Sequence, residues 1–441
     1  MYRDKITRML DLDISGDDLA AALLSLSRSG VVCILDSSGV GHLGSHLLIA
    51  GIAPQDTFSI TGLTTAETLG RFEELTAEPS LASFFTISYG LGLKLQDISS
   101  NRADPAEPDI FLARFDALLI HDYDTGRTVL AGNPERAKLL QIQGDDHNVA
   151  LIERCEARSN MSKAEYLQAV ESIREQIRSG ETYQANLTHR LECRLPLTTS
   201  PQTIFRRLRS RHPAPFAAFF SRGDSTVVSG SPERFFRTES SARRISTSPI
   251  KGTRKRGADA AEDARLRLDL LESAKDRAEN TMIVDLLRND LGRICEFGSV
   301  TADKVCDLEE HPSLFHLVST VSGRLRPDIQ ISDILRAMFP CGSITGAPKI
   351  STMRIIDAIE PDPRELSMGA IGYSLPDDSF GLPAGMDLSV AIRTMVIRGN
   401  VASFNVGGGI VIDSDPESEY LETLTKAAAL LDAAGAEFIA D

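Results

Sequence analysis

The hydrophobic residues of this chain change period as it runs, and each change predicts an element. Between Ser162 and Gly180, apolar Tyr166, Val170, Ile173 and Ile177 recur at helical spacing. Ser162, with Glu165 three positions later, forms a capping box that starts this helix, and Gly180 ends it. The next segment, "TYQANLTHRLECRL", switches to period two. Tyr183, Ala185, Leu187, Leu191, Cys193 and Leu195 take one face, while Gln184, Asn186, Thr188 and Arg190 take the other, which predicts a half-buried strand. A second helix starts at Ser273 with Asp276, and its Met282, Ile283 and Leu286 lie at i+3, i+4 and i+7 from Glu279. A last helix opens on Asp415 as N-cap and Pro416 in the first turn, with Glu419, Glu422 and Lys426 on one face.

The first part of the chain reads differently, as short β-like runs such as "GVVCILDSS", "SFFTISYGLG", "ALLIHDY" and "TVLAG". A polar, aperiodic stretch at 143–161 separates it from the helix-rich remainder, which divides the chain into 1–150 and 151–441. Half-buried strands mixed with amphipathic helices, and few βαβ alternations, predict an α+β fold with antiparallel sheets.

Composition narrows the function classes. The 441 residues carry a formal charge of −15, which argues against nucleic acid or an anionic membrane face as the main partner. An anionic substrate would need a local positive patch. The six cysteines are scattered, with no CxxC, and read as reduced thiols of a cytoplasmic protein. The charged start "MYRDKITRMLDLD" has no apolar signal region, and no stretch reaches membrane-span length.

Several residues resist a purely structural explanation. A carboxylate on a core-facing stripe, as expected for Glu279, must be paired, protonated or metal-bound. A buried salt bridge is the plainer alternative. Glu419 and Glu422 are either a solvated charged face or hard oxygen ligands suited to Mg²⁺. Gly407, Gly408 and Gly409 permit unusual φ and close backbone approach to a ligand; a β-bulge explains them equally well. They are not a nucleotide loop, because no helix follows directly and no GK[ST] is present. Two loops, "FPCGSITGAPKI" and "AIRTM", each carry one cation, Lys349 and Arg393, and arginine suits bidentate carboxylate recognition.

Together, "GETYQANL", "SGSPERFFR", "SPIKGTRKRG", "KDRAENTMIVDLLRNDLGRI", "FHLVSTVSG", "FPCGSITGAPK", "GAIGY", "AIRT" and "VGGGIVIDSDPESEYLETLTKA" resemble the chorismate-utilising enzymes. That family includes anthranilate synthase component I, aminodeoxychorismate synthase component I, and the isochorismate and salicylate synthases. The likeness runs through nearly all of 160–430 in the family's order, whereas 1–150 matches only loosely, as a variable N-terminal subdomain. It implies two packed, largely antiparallel sheets flanked by helices, with 151–441 as the chorismate-binding catalytic region.

The resemblance also assigns roles. It implies Mg²⁺ held by Glu279 and Glu422, with Glu419 alongside, against the ring carboxylate of chorismate. It implies that Arg393, Tyr373 and the Gly407, Gly408 and Gly409 backbone receive the enolpyruvyl carboxylate, while Gly252, Thr253, His316, Thr345 and Lys426 line the same pocket. Glu233 would be the general acid at the C4 hydroxyl, kept protonated by burial or like charge.

Two positions sort the reaction types. Water-adding members use a lysine base where this chain has Gln184, which cannot take a proton from water. Aminodeoxychorismate synthases have "PIKGT" where anthranilate synthases have "PIAGT", and here the residue is Lys251. Desolvation and a neighbouring cation both favour the free amine of a lysine, the nucleophilic form.

The resemblance therefore implies aminodeoxychorismate synthase component I, working through a covalent Lys251 intermediate toward para-aminobenzoate and folate. Anthranilate synthase component I is the alternative, and a non-catalytic chorismate-binding subunit a more distant one. No Cys-His-Glu amidotransferase region is visible, so ammonia is expected from a separate glutamine amidotransferase subunit. Arg254, Lys255 and Arg256 read as solvated, assisting anion capture, and Asp387 as supporting a loop. The family's "RGxYxG" is here "RELSMG", without the tyrosine and with Glu365 in the first glycine's place.

Overall fold

The computed structural model describes residues 9–41, 46–100, 106–140, 152–310 and 314–440. The first nine residues of the aperiodic stretch, 143–151, lie outside the described residues. Among those described, two sheets carry the architecture, one of 13 strands and one of 10. Every strand pairing is antiparallel except that of Ala436–Phe438 with Cys155–Ser159.

The two sheets pack face to face. Phe84, Phe111, Phe115 and Ile371 from the smaller sheet meet Phe220, Val227, Ile120 and Val396 from the larger in one continuous apolar layer. Helices cover the outer faces. Gly16–Leu26, Pro201–Arg211 and the last helix, Pro416–Ala434, pack on the larger sheet. Thr65–Thr76, Ala274–Gly292 and Ile331–Met338 pack on the smaller one. The α+β reading therefore holds, with the helices outside the paired sheets.

The early strands are woven into both sheets. Val32–Asp36 pairs with Phe216–Ser221 in the larger sheet, and Ala82–Ile87 pairs with Ala370–Leu375 in the smaller.

The predicted helix after Ser162 spans Lys163–Arg178, and its capping box is complete. Glu165 N–H donates to Ser162 Oγ at 3.3 Å, and Ser162 N–H donates to Glu165 Oε2 at 2.7 Å. Ser162→Ala removes one of these two bonds and is expected to destabilise the fold by about 1 kcal/mol, read from denaturant or thermal unfolding.

The strand Gln184–Arg194 departs from its predicted half-burial: both faces are buried from Gln184 to His189. Its apolar face packs under the Lys163–Arg178 helix, with Ala185 and Leu187 against Tyr166, Val170 and Ile173. Its polar face is held by a buried ion pair instead of water. Thr188 N–H donates to Glu360 Oε1 at 2.7 Å, and Glu360 in turn pairs with Arg364. The guanidinium of Arg364 donates to the carbonyls of Asn186 and Ile344. Polar residues facing inward on a buried strand mark the place where the sheet stops being scaffold.

Candidate active site

Ten residue pairs set the register of two strands. Gln184–Arg194 pairs with Val401–Ile410 so that Asn186 lies opposite Gly409, Leu187 opposite Gly408 and Thr188 opposite Gly407. The three glycines sit in this regular ladder, with no bulge and no left-handed φ. Space, not conformational freedom, is what glycine provides here, most strictly at Gly407, where the obstacle is backbone. A Cβ on Gly409 would lie 2.3 Å from Gln184 Nε2, and one on Gly407 would lie 2.0 Å from the Leu187 carbonyl oxygen.

Gly408 looks outward to the last helix. A Cβ there would lie 3.1 Å from Glu419 Oε2, 3.7 Å from Glu422 Oε1 and 3.8 Å from Lys426 Nζ. Periodicity thus placed these three on one face, and the fold aims that face at the glycine strand. Lys426 Nζ donates to the Gly407 carbonyl at 2.9 Å and pairs with Glu422 at 2.7 Å. Ser414 Oγ donates to Glu419 Oε1 at 2.6 Å.

The two carboxylates are tuned apart. Burial pushes Glu419 above its ordinary value, and the Glu422 charge adds to this. Burial also acts on Glu422, but Lys426, Lys275 and Lys251 outweigh it and hold that group below its ordinary value. Two carboxylates of different protonation tendency, with ammonium groups beside them, present hard oxygens of the kind that hold a divalent ion.

Glu279 is less central than its stripe suggested. The fully buried seam of its helix is Asn280, Ile283, Val284 and Leu287, so Glu279 lies one position round, partly exposed, with Lys275 Nζ 4.0 Å away. No three His, Cys, Asp or Glu side chains among the described residues group closely enough to hold an ion. The three-carboxylate cluster expected from Glu279, Glu419 and Glu422 is therefore not assembled, and only Glu419 and Glu422 converge.

Lys251 lies in a β-bulge. Ile250 pairs with Val318 and Thr253 with His316, leaving Lys251 and Gly252 as the irregular pair. Gly252 has φ +85°, and a Cβ there would lie 2.9 Å from Leu270 Cδ1 and 3.0 Å from Asp276 Cβ, so only glycine fits this turn. Lys251 itself is half-buried, and its charge acts on Glu233 and on Glu422.

Glu233 is 5% exposed. Burial pushes its carboxyl above its ordinary value; Ser343, Lys251, the Ile250 amide and Arg393 offset only part of this. Ser343 Oγ donates to Glu233 Oε1 at 2.7 Å. Arg393 is held in the left-handed region at φ +49°, a strained setting for arginine, and its carbonyl accepts from the Gly230 N–H at 2.9 Å. Burial lowers its guanidinium from the ordinary value, partly offset by Glu233.

Other expected residues fall nearby. Thr253 Oγ1 and His316 Nδ1 are 2.9 Å apart on neighbouring strands, though Thr253 is exposed. Thr345 is fully buried, and its carbonyl accepts from the Asn186 N–H at 2.8 Å. Gln184 is fully buried with neither amide atom bonded to protein.

Four readings change. Tyr373 lines a separate cavity with Asp36, Ser37, Pro215, Phe216 and Asp387, and its ring packs on Phe84. None of the other proposed site residues lines that cavity. Lys349 pairs with Asp290 at 2.7 Å and donates to the Met338 carbonyl at 2.9 Å, so it braces a helix. Arg254 pairs with Asp269 and Asp276, and Arg256 pairs with Asp263 and stacks over Phe315, so neither is free for anion capture. Asp387 braces two strands through a two-point pair with Arg234, at 2.9 and 3.1 Å. Sequence reasoning missed Ser343, Ser414 and Lys275, each beside a residue it had singled out.

The sequence profile of chorismate binding enzymes matches residues 35–432. The chain belongs to that family. It is 48% identical over 266 residues to an aminodeoxychorismate synthase of Streptomyces griseus, covering 60% of this chain and 36% of that protein. Aminodeoxychorismate synthase component 1 of Klebsiella aerogenes is 39% identical over 342 residues, 77% of this chain and 74% of its own. Anthranilate synthase component 1 of Bacillus subtilis (strain 168) is also 39% identical, over 294 residues, 67% of this chain and 55% of its own. The chain thus spans about a third to a half of the length of several curated relatives it matches. The crystal structure of anthranilate synthase component I from Streptococcus pneumoniae TIGR4 superposes with a TM-score of 0.73 at 25% identity, covering 98% of this chain and 93% of that one. The paired antiparallel sheets of this chain are the family's fold. No helix among the described residues is long and apolar enough to cross a membrane.

Proposed function

We propose that this chorismate-binding enzyme aminates chorismate at C4, giving 4-amino-4-deoxychorismate by way of a covalent Lys251 adduct. The observation that carries this reading is the bulge at Lys251, from which its charge reaches both Glu233 and Glu422. The Lys251 amine forms a bond to ring C2, the ring double bond shifts, and the C4–O bond breaks. Glu233, whose carboxyl burial pushes above its ordinary value, gives its proton to the departing hydroxyl, which leaves as water. Ammonia then bonds to C4, the double bond shifts back, the C2–N bond breaks to return the lysine, and the new C4 ammonium gives one proton back to the Glu233 carboxylate. Chorismate plus ammonia thus gives the amino product plus water.

Arg393 and the backbone edge of Gly407, Gly408 and Gly409 suit the enolpyruvyl carboxylate, since Thr394–Arg398 pairs with that strand only over Val401–Ser403. Mg²⁺ would be held by Glu419 and Glu422, with substrate oxygens and water filling its shell, and would neutralise the ring carboxylate. Glu279, partly exposed on its own helix, would be an outer partner. Ammonia is supplied, on this reading, by a separate glutamine amidotransferase subunit, and the product serves para-aminobenzoate and folate formation.

The similarity to anthranilate synthases supports a second reading, in which the amine enters at C2 and the ring aromatises to anthranilate. Purified protein with chorismate, Mg²⁺ and ammonium decides between them. The expected product is 4-amino-4-deoxychorismate without anthranilate fluorescence, and glutamine alone should give no turnover. Direct anthranilate formation overturns the C4 reading, and unaided glutamine use overturns the separate subunit.

A further inference from the structure

We infer that Ser343 is a positioning residue for Glu233, pinning Oε1 so that the other carboxyl oxygen carries and delivers the proton. The inference rests on the proposed role of Glu233 as the acid. Ser343 is buried in the short turn Gly342–Ile344, and its hydroxyl donates to Glu233 Oε1 at 2.7 Å. In a carboxylic acid the carbonyl oxygen is the acceptor and the hydroxyl oxygen the donor. A serine hydroxyl aimed at Oε1 therefore makes Oε1 the carbonyl and assigns the proton to Oε2. When Oε2 loses that proton to the departing hydroxyl, the carboxylate keeps the electron pair, and the Ser343 bond strengthens as it becomes charge-assisted.

The serine is itself aimed. Cys341 Sγ lies 3.3 Å from Ser343 Oγ. Burial pushes the Cys341 thiol up to about 12, so it stays S–H and can donate to Ser343 Oγ. The hydroxyl hydrogen is then left to point at Glu233. The turn is tied from both sides: Arg364 donates to the Ile344 carbonyl at 3.1 Å, and Thr345 Oγ1 donates to the Cys341 carbonyl at 3.1 Å. A Cβ on Gly342 would lie 2.4 Å from Leu286 Cδ2, so the turn has no room to shift toward the helix. The charged or titratable groups acting on Glu233 are Lys251 from the bulge, Arg393 from the loop before Thr394–Arg398, and Cys341 from this turn.

Ser343→Ala and Ser343→Thr test the inference. The alanine variant should lose about tenfold in kcat, with KM for chorismate within about twofold of the parent. The basic limb of its pH profile should move to higher pH, because a donor that favoured the carboxylate is gone. Threonine, which keeps the hydroxyl, should restore both. A limb that stays put, with activity falling only in step with thermal stability, overturns the inference, as does full activity in the alanine variant. The carboxyl stretch in the infrared, assigned by its loss in Glu233→Gln, should shift in Ser343→Ala whether or not the protein turns over chorismate. An unshifted band overturns the Ser343 contact itself; a shifted band in an inactive parent overturns the acid role of Glu233 instead.

Discussion

Glutamine in place of Glu233 is expected to lower kcat by about 10²- to 10⁴-fold, the usual contribution of a positioned acid. The amide keeps the volume and can still accept from Ser343, so KM for chorismate should change little. Its larger signature is in the pH profile. Activity that needs protonated Glu233 falls as pH rises through the carboxyl's titration. Burial has moved that titration above the ordinary carboxylate range, so the parent keeps working at pH values where a solvent-exposed glutamate would be ionised. The variant should lose this basic limb altogether. Steady-state kinetics across pH with chorismate and ammonium measures both effects. A parent profile that keeps the same limb in the variant assigns the acid elsewhere.

Lys251→Ala is expected to reduce 4-amino-4-deoxychorismate formation by about 10³-fold, roughly 4 kcal/mol of barrier. No other amine stands in the bulge to attack C2. Intact-mass measurement after acid quench should show a chorismate-derived adduct on the parent and none on the variant. Residual activity that passes to the C2-aminated product is a second acceptable outcome, since loss of the lysine leaves C2 open to ammonia. Undiminished C4 amination by the variant removes the covalent route.

Lys251 and Glu233 also show how far sequence reaches. Helix starts were legible because a cap is a contact between residues three apart: Ser162 with Glu165 and Asp415 at the last helix both stand as read. The face of the last helix was legible for the same reason, and Glu419, Glu422 and Lys426 do converge. The stripe on Ala274–Gly292 misled because that helix packs on strands to one side while Glu279 looks along its edge; a period alone cannot tell a core seam from its border. Tyr373 sits on Ala370–Leu375, a strand buried on nearly every residue, so alternation carried no information about which side meets substrate. The role of Ser343 was invisible for a different cause. Its bond to Glu233 joins positions over a hundred residues apart, and nothing local announces it.

The weaving of early strands into both sheets bears on how the protein comes into being. Met9–Leu12 closes against Arg127–Gly132, but Ile87 must wait for Ala370 and Asp36 for Ala217. A ribosome releasing this chain from its N-terminus exposes half-built sheets with unpaired edges until the distant partners emerge. Maturation should therefore finish late and at once, and the nascent chain is the form in which this enzyme most needs a chaperone.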